Sequence, residues 1–190
     1  MVDSFASQEL ILVRHASATG QEALAELTDE GRAQARVLAG LLLPYRMERV
    51  ISSPFVRATE TIRPLCERAN LQLETDPRLV ERVLSGQPLA DWRDHLRRSF
   101  DDFDYRLEGG ESARAAQRRG MSVLQSALES KALCVLVTHG NLLALMLNAI
   151  DGSVGFDHWS KLSNPDAFIV GFEPDAPAPI RRIWSARAES

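Results

Sequence analysis

Apolar residues gather into short uninterrupted runs, of which "LILV" at 10–13 and "LCVLV" at 133–137 are the clearest. Runs of this length without alternation predict strands buried on both faces. Residues 9–14 and 132–138 are therefore expected as strands, with 48–52 ("ERVIS") and 71–76 ("LQLETD") as two more. Between them the apolar spacing becomes helical. An amphipathic helix is expected over 28–43, with Thr28 as N-cap and Pro44 as stop, and another over 53–70, interrupted or ended near Pro64. "GGES" at 109–112 marks a turn with Ser112 as a capping residue for a helix over 113–130, and a last helix covers 140–150. The segments "AFIVGF" and "IRRIW", joined by the proline-rich "EPDAPAP", read as an antiparallel edge pair.

Strands and helices in alternation predict an α/β fold: a three-layer α/β/α sandwich around a mostly parallel central sheet. Residues 82–108 break the rhythm. Within them, "ADWRDHLRRSFDDFDYRLE" mixes Arg, Asp and aromatic residues without a clean apolar face, as a small inserted cap or lid would. No linker or low-complexity stretch divides the 190 residues, so 1–190 reads as a single domain carrying that insertion.

Composition narrows the function classes. A net charge of -4 offers no general attraction to nucleic acid or anionic membranes, so any affinity for phosphate must come from a local cluster. Neither a signal-type segment nor an apolar stretch long enough for a bilayer is present, and a cytoplasmic location is the expectation. Cys66 and Cys134 lie in apolar contexts without metal-site spacing and read as buried free thiols.

The two clearest strands both end on histidine, His15 after Arg14 and His139 after Thr138, in a chain with four His. In parallel sheets ligands bind beyond the carboxyl ends of the strands, so these distant residues can share one site. Phosphoryl transfer to a side chain needs a neutral nucleophile, cations around the phosphoryl oxygens and an acid for the leaving oxygen. His15 suits the first role, with cationic neighbours holding it neutral. Arg14 and Arg57 suit the second, and His139 adds the N-terminus of a helix. Glu81, in "DPRLVERV", is a candidate proton donor, with Glu74, Asp76 and Glu111 as competing acids. Ser52 and Ser53 read as strand-end capping, and His95 and His158 as surface or packing residues.

At these residues the chain resembles the histidine phosphatase superfamily, the phosphoglycerate mutase-like family. Arg14-His15-Ala16 matches its Arg-His-Gly motif, and "LTDEGRAQA" its following helix start. "SSPFVRATETI" matches its Ser-Pro-x-x-Arg-Ala-x-x-Thr motif, "LVERV" its acid motif, "GGES" its glycine-acid-serine turn, and "VTHGN" its second-histidine motif. The resemblance implies a metal-independent phosphomonoesterase working through a phosphohistidine at His15, without a metal or organic cofactor. Arg14, Arg57 and His139 would bind the phosphoryl group, and Glu81 would act as general acid and then base. The implied substrate is a small phosphorylated metabolite or a phosphoprotein. A mutase, a phosphohistidine-protein phosphatase and a silent phosphate-binding module are the alternatives. Three departures stand out. Ala16 places a methyl group where glycine is usual, Ala18 stands where mutases carry Ser, and Gln21 stands where they carry Asn, Gln21 being able to bind phosphate only if its longer side chain folds back.

Overall fold

The computed structural model describes residues 8–172 and 179–184. Six strands form one sheet: β1 (Gln8–Arg14), β2 (Arg49–Ser52), β3 (Leu73–Thr75), β4 (Cys134–Thr138), β5 (Asp166–Phe172) and β6 (Ile180–Arg182), in the order β3-β2-β4-β1-β5-β6. β1 and β4 lie side by side in parallel, with Arg14 opposite Thr138, and β2 and β3 continue the parallel run. β5 is antiparallel to both of its neighbours and is therefore the one strand that opposes the rest.

The apolar runs are uninterrupted because helices cover both faces. Leu10 and Leu12 of β1 point to one side, against α4 (Ala113–Glu129) and α5 (Gly140–Ile150), and join a core with Leu136, Leu142 and Met146. Ile11 and Val13 point to the other, where α1 (Asp29–Leu42) and α2 (Val56–Ala69) supply Leu38, Leu42, Ile62 and Leu65. The result is the three-layer arrangement expected from the alternation. Among the described residues no helix is long and apolar enough to cross a membrane. Cys66 and Cys134 are buried free thiols, as anticipated.

The structure corrects the sequence reading at several points. α2 runs through Pro64 to Ala69. The missing N–H costs the helix a hydrogen bond, but Ala58, Ile62, Leu65 and Cys66 bury its apolar face on both sides of the proline, and that packing outweighs the local loss. α1 passes into a 3-10 turn over Leu43–Tyr45 instead of stopping at Pro44. Of the pair at the sheet's end, only β6 is an edge, since β5 lies between β1 and β6; most of their connection, 173–178, falls outside the described residues. The 82–108 stretch contains a helix, α3 (Trp92–Asp101), which packs on the short α6 (Phe156–Trp159). Its buried face is small, Leu96 and Ser99, and much of the remaining contact is made by Arg93 and Arg97 stacked over the Phe156 ring.

Candidate active site

The carboxyl ends of β1 and β4 meet in one crevice. The backbone N–H of His15 donates to the carbonyl of Thr138 at 3.0 Å, which continues the ladder by one residue and sets the two histidines beside each other. Their ring centroids are 5.1 Å apart, edge to face. Both are buried.

The tautomer of His15 follows from its partners. Nδ1 lies 2.7 Å from the carbonyl oxygen of Ala16, which only accepts, so Nδ1 carries the hydrogen. Arg57 Nε, which only donates, approaches His15 Nε2 at 3.1 Å, so the free lone pair is on Nε2. The backbone around it is tied down: Ala16 N donates to Thr61 Oγ1 at 2.9 Å, and Asn164 Nδ2 donates to the carbonyl of His15 at 2.8 Å. The methyl group of Ala16 is buried with Leu27 and Ala35, so the departure from glycine is absorbed by a small apolar cluster. Burial lowers the pKa of His15 from 6.5 to about 3; the Ala16 contact opposes the shift, and the charges of Arg57 and Arg14 add to it. His139 is held well below its ordinary value by burial and by the same cationic surroundings.

In the folded protein His15 stays neutral at pH values where the unfolded chain has already taken up a proton. Stability therefore falls as pH drops from 6.5 toward about 3. His15→Gln, which does not titrate, should flatten that slope in thermal melts recorded across the interval. An unchanged slope would remove His15 as a source of it.

Arg57 reaches the crevice from the first turn of α2 and is fully buried. Its Nη1 donates to the carbonyl of Glu22 at 2.8 Å, its guanidinium carbon lies 5.0 Å from the centre of the Phe55 ring, and its Nη2 has no partner. Arg14 comes from the end of β1 and donates through Nη1 to the carbonyls of Leu162 and Ser163, while its buried Nε is also unpartnered. The guanidinium lies on the start of α5. A Cβ at Gly140 would stand 3.0 Å from Arg14 Nε and Cζ, which explains the glycine after the second histidine. His139, the N-cap residue of α5, holds Ser53 Oγ at 2.8 Å through Nε2 and leaves Nδ1 without a partner. Arg14 Nε and Arg57 Nη2 are thus buried donors without acceptors, and His139 Nδ1 also lacks a partner; a buried donor without an acceptor is costly unless a ligand supplies one.

Glu81 follows a 3-10 turn over Pro77–Leu79 and faces the N-terminus of α5. Its Oε2 accepts from Asn141 N at 2.9 Å, and its Oε1 from Leu142 N at 3.0 Å and Arg82 N at 2.9 Å. The competing acids are otherwise engaged: Glu74 pairs with Arg49, Asp76 with Arg78, and Glu111 with Arg119. Gln21 is exposed on the loop after His15 and, among the described residues, makes no side-chain hydrogen bond. His95 lies in α3 between Asp91 and Tyr105, and His158 in α6; neither belongs to the crevice. The structure thus gathers Arg14, His15, Arg57, Glu81 and His139 and leaves Gln21 at the rim. Sequence reasoning missed Ser53 as a brace for His139, and missed Thr61 and Asn164 as anchors of the His15 backbone. Thr61 carried a signal, since it is the last residue of the "SPFVRATET" motif. Asn164 carried none. Among the described residues no three His, Cys, Asp or Glu side chains gather as a metal site.

The model of the histidine phosphatase superfamily, branch 1, matches residues 10–182. The chain belongs to this family. Among curated proteins it is similar to a probable phosphoglycerate mutase of Yersinia pestis, 31% identical over 140 residues, which are 66% of this chain and 63% of the relative. The match thus spans less than two thirds of that longer protein. Among solved structures, a mycobacterial glucosyl-3-phosphoglycerate phosphatase superposes with a TM-score of 0.76 at 24% identity, covering 93% of this chain and 97% of its own. The same phosphatase with inorganic phosphate gives a TM-score of 0.74 at 23% identity over 92% and 95% of the two chains. These likenesses establish the fold, and the phosphatases and mutases among the relatives agree with a histidine phosphatase.

Proposed function

We propose that this protein is a metal-independent phosphomonoesterase that works through a phosphohistidine at His15. The observation that carries the reading is a neutral His15 whose Nε2 accepts from Arg57 Nε, in a crevice where Arg14 Nε, Arg57 Nη2 and His139 Nδ1 are buried without partners. A phosphoryl group in that space gives those atoms acceptors. As Arg57 Nε turns from the ring to a phosphoryl oxygen, the Nε2 lone pair is freed and attacks phosphorus, the bond to the ester oxygen breaks, and Glu81 passes its proton to the departing alcohol. Glu81 then takes a proton from water, whose oxygen attacks phosphorus. The P–N bond breaks, inorganic phosphate leaves, and His15 is restored. Arg14 and Arg57 bind the equatorial oxygens, and the N-terminus of α5 adds its dipole. Gln21, exposed on the loop after His15, is the outermost of the phosphate ligands in this reading.

The neighbour whose name is that of a phosphatase acting on a phosphorylated sugar acid, together with the burial of His15, favours a small phosphorylated metabolite over a phosphoprotein. The mutase name of the curated relative supports a second reading, return of the phosphoryl group to another hydroxyl. Ala18, which has no side-chain donor, weighs toward hydrolysis.

Glu81→Gln tests the assignment. With chelator present throughout, hydrolysis of an alkyl phosphate should fall about 10²-fold or more, and that of an activated aryl phosphate far less, because a good leaving group needs little protonation. Equal losses on both esters would place the acid elsewhere, and wild-type inactivation by the chelator would sink the metal-free mechanism.

A further inference from the structure

Arg82 is a buried cation that the reaction above does not use. Nε donates to the carbonyl of Glu111 at 2.8 Å, and Nη1 donates to Ser99 Oγ at 2.7 Å and approaches Asn141 Oδ1 at 3.5 Å. Nη2 and Asn141 Nδ2 have no partner. Among the described residues no carboxylate forms an ion pair with it, although Glu111 and Glu81 are near enough to raise its proton affinity against the effect of burial. A buried cation without a paired anion is a poor stabiliser, and an apolar residue of similar length at such a position is commonly neutral or better. Stability therefore does not account for an arginine here.

The contacts suggest what does. Three backbone N–H groups hold the Glu81 carboxylate, and they belong to two chain segments: Arg82 on one, Asn141 and Leu142 on the other. The Arg82 side chain leaves the first of these donors and reaches the side chain of the second. It also ties Ser99 of α3, whose hydroxyl donates to the carbonyl of Leu96, and the turn at Glu111.

We infer that Arg82 is a positioning residue for Glu81: it fixes the spacing of the backbone donors that orient the acid, and it links that orientation to α3. The inference rests on Glu81 acting as the proton donor. Without the guanidinium, the segment at 81–82 and the start of α5 are free to move apart, and the carboxyl group loses its aim at the leaving oxygen. A displacement of that order is enough to slow a positioned proton transfer severely. Ser99 contributes by completing the grip from α3.

The test compares an alkyl and an aryl phosphate in the wild type, Arg82→Met, Arg82→Lys, Ser99→Ala, Glu81→Gln and the double variant Glu81→Gln/Arg82→Met, with thermal melts for each. Arg82→Met should lose about 10-fold or more on the alkyl ester and much less on the aryl ester, because only the former depends on general acid catalysis. Arg82→Lys should recover part of the loss, and Ser99→Ala should show a smaller effect of the same sense. The double variant should be no slower than Glu81→Gln alone, since Arg82 acts through the carboxyl group. Equal losses on both esters, or additive losses in the double variant, would overturn the inference. If Arg82→Met fails to fold, Ser99→Ala decides by the same ratio. If Glu81→Gln itself shows no preference for the good leaving group, the acid assignment fails, and the fault is then distinct from one in Arg82.

Discussion

His15→Ala should lower turnover of phosphate esters by about 10⁴-fold or more, the scale seen when a covalent nucleophile is removed. The reason is geometric. Nε2 of His15 has a lone pair, is held neutral, and is oriented by Ala16 on one side and Arg57 on the other. The other imidazole in the crevice, His139, is committed through Nε2 to Ser53 and so is not placed as a substitute. Hydrolysis of an activated aryl phosphate, wild type and variant side by side, measures the loss. Trapping labelled phosphate on the wild-type protein alone would locate the covalent bond. Turnover retained by the variant would remove His15 from the role, and a wild type that binds phosphate without hydrolysing any ester would leave a binding module built on the enzyme's fold.

Arg57→Met should lower activity by about 10²–10³-fold, the usual consequence of deleting one preorganised donor to a transition-state oxyanion. Its effect on stability should have the opposite sense. The Arg57 guanidinium is fully buried, has one unpartnered nitrogen and makes no ion pair among the described residues. Burial also pulls down its proton affinity, with Glu81 and Glu22 opposing. Methionine keeps most of the side-chain length and removes the uncompensated charge, so the melting temperature should stay level or rise while turnover collapses. A fall in melting temperature of several degrees would mean that the cation stabilises the crevice, and unchanged activity would mean that it does not hold the phosphoryl group.

Much of this arrangement was legible in the chain itself, for identifiable reasons. β1 and β4 are buried on both faces, so their apolar runs are continuous and their ends abrupt; Arg14, His15 and His139 follow at once and stand out. Arg57 and Glu81 needed motif order, because isolated charges on a helix or loop carry no positional signal. What stayed hidden depends on contacts between distant segments. Ser53 read as a cap, and its Oγ does accept from Phe55 N at 3.3 Å, yet the same oxygen braces a histidine 86 positions away. Arg82 carries no sequence signal that separates it from a surface charge, although folding buries it. α3 was unreadable because it sets only Leu96 and Ser99 into the interior and makes further contacts with arginines lying over aromatic rings. Pro64 misled because a local penalty was weighed without the packing that offsets it.

The segment between Glu81 and α4 leaves and rejoins the body through a narrow neck. Glu111 N donates to the carbonyl of Val83 at 2.7 Å, and Gly86 N to that of Glu108 at 2.9 Å. Gly109, at a φ of +67°, lies so close to Gly86 that a Cβ there would stand 2.8 Å from its Cα. Because the two ends are clasped to each other, a change in the length of chain between them costs only a slowly growing closure entropy. The neck thus fixes where the stretch leaves and rejoins the body, and α3 between those points keeps one tie to the crevice, Ser99 held by Arg82.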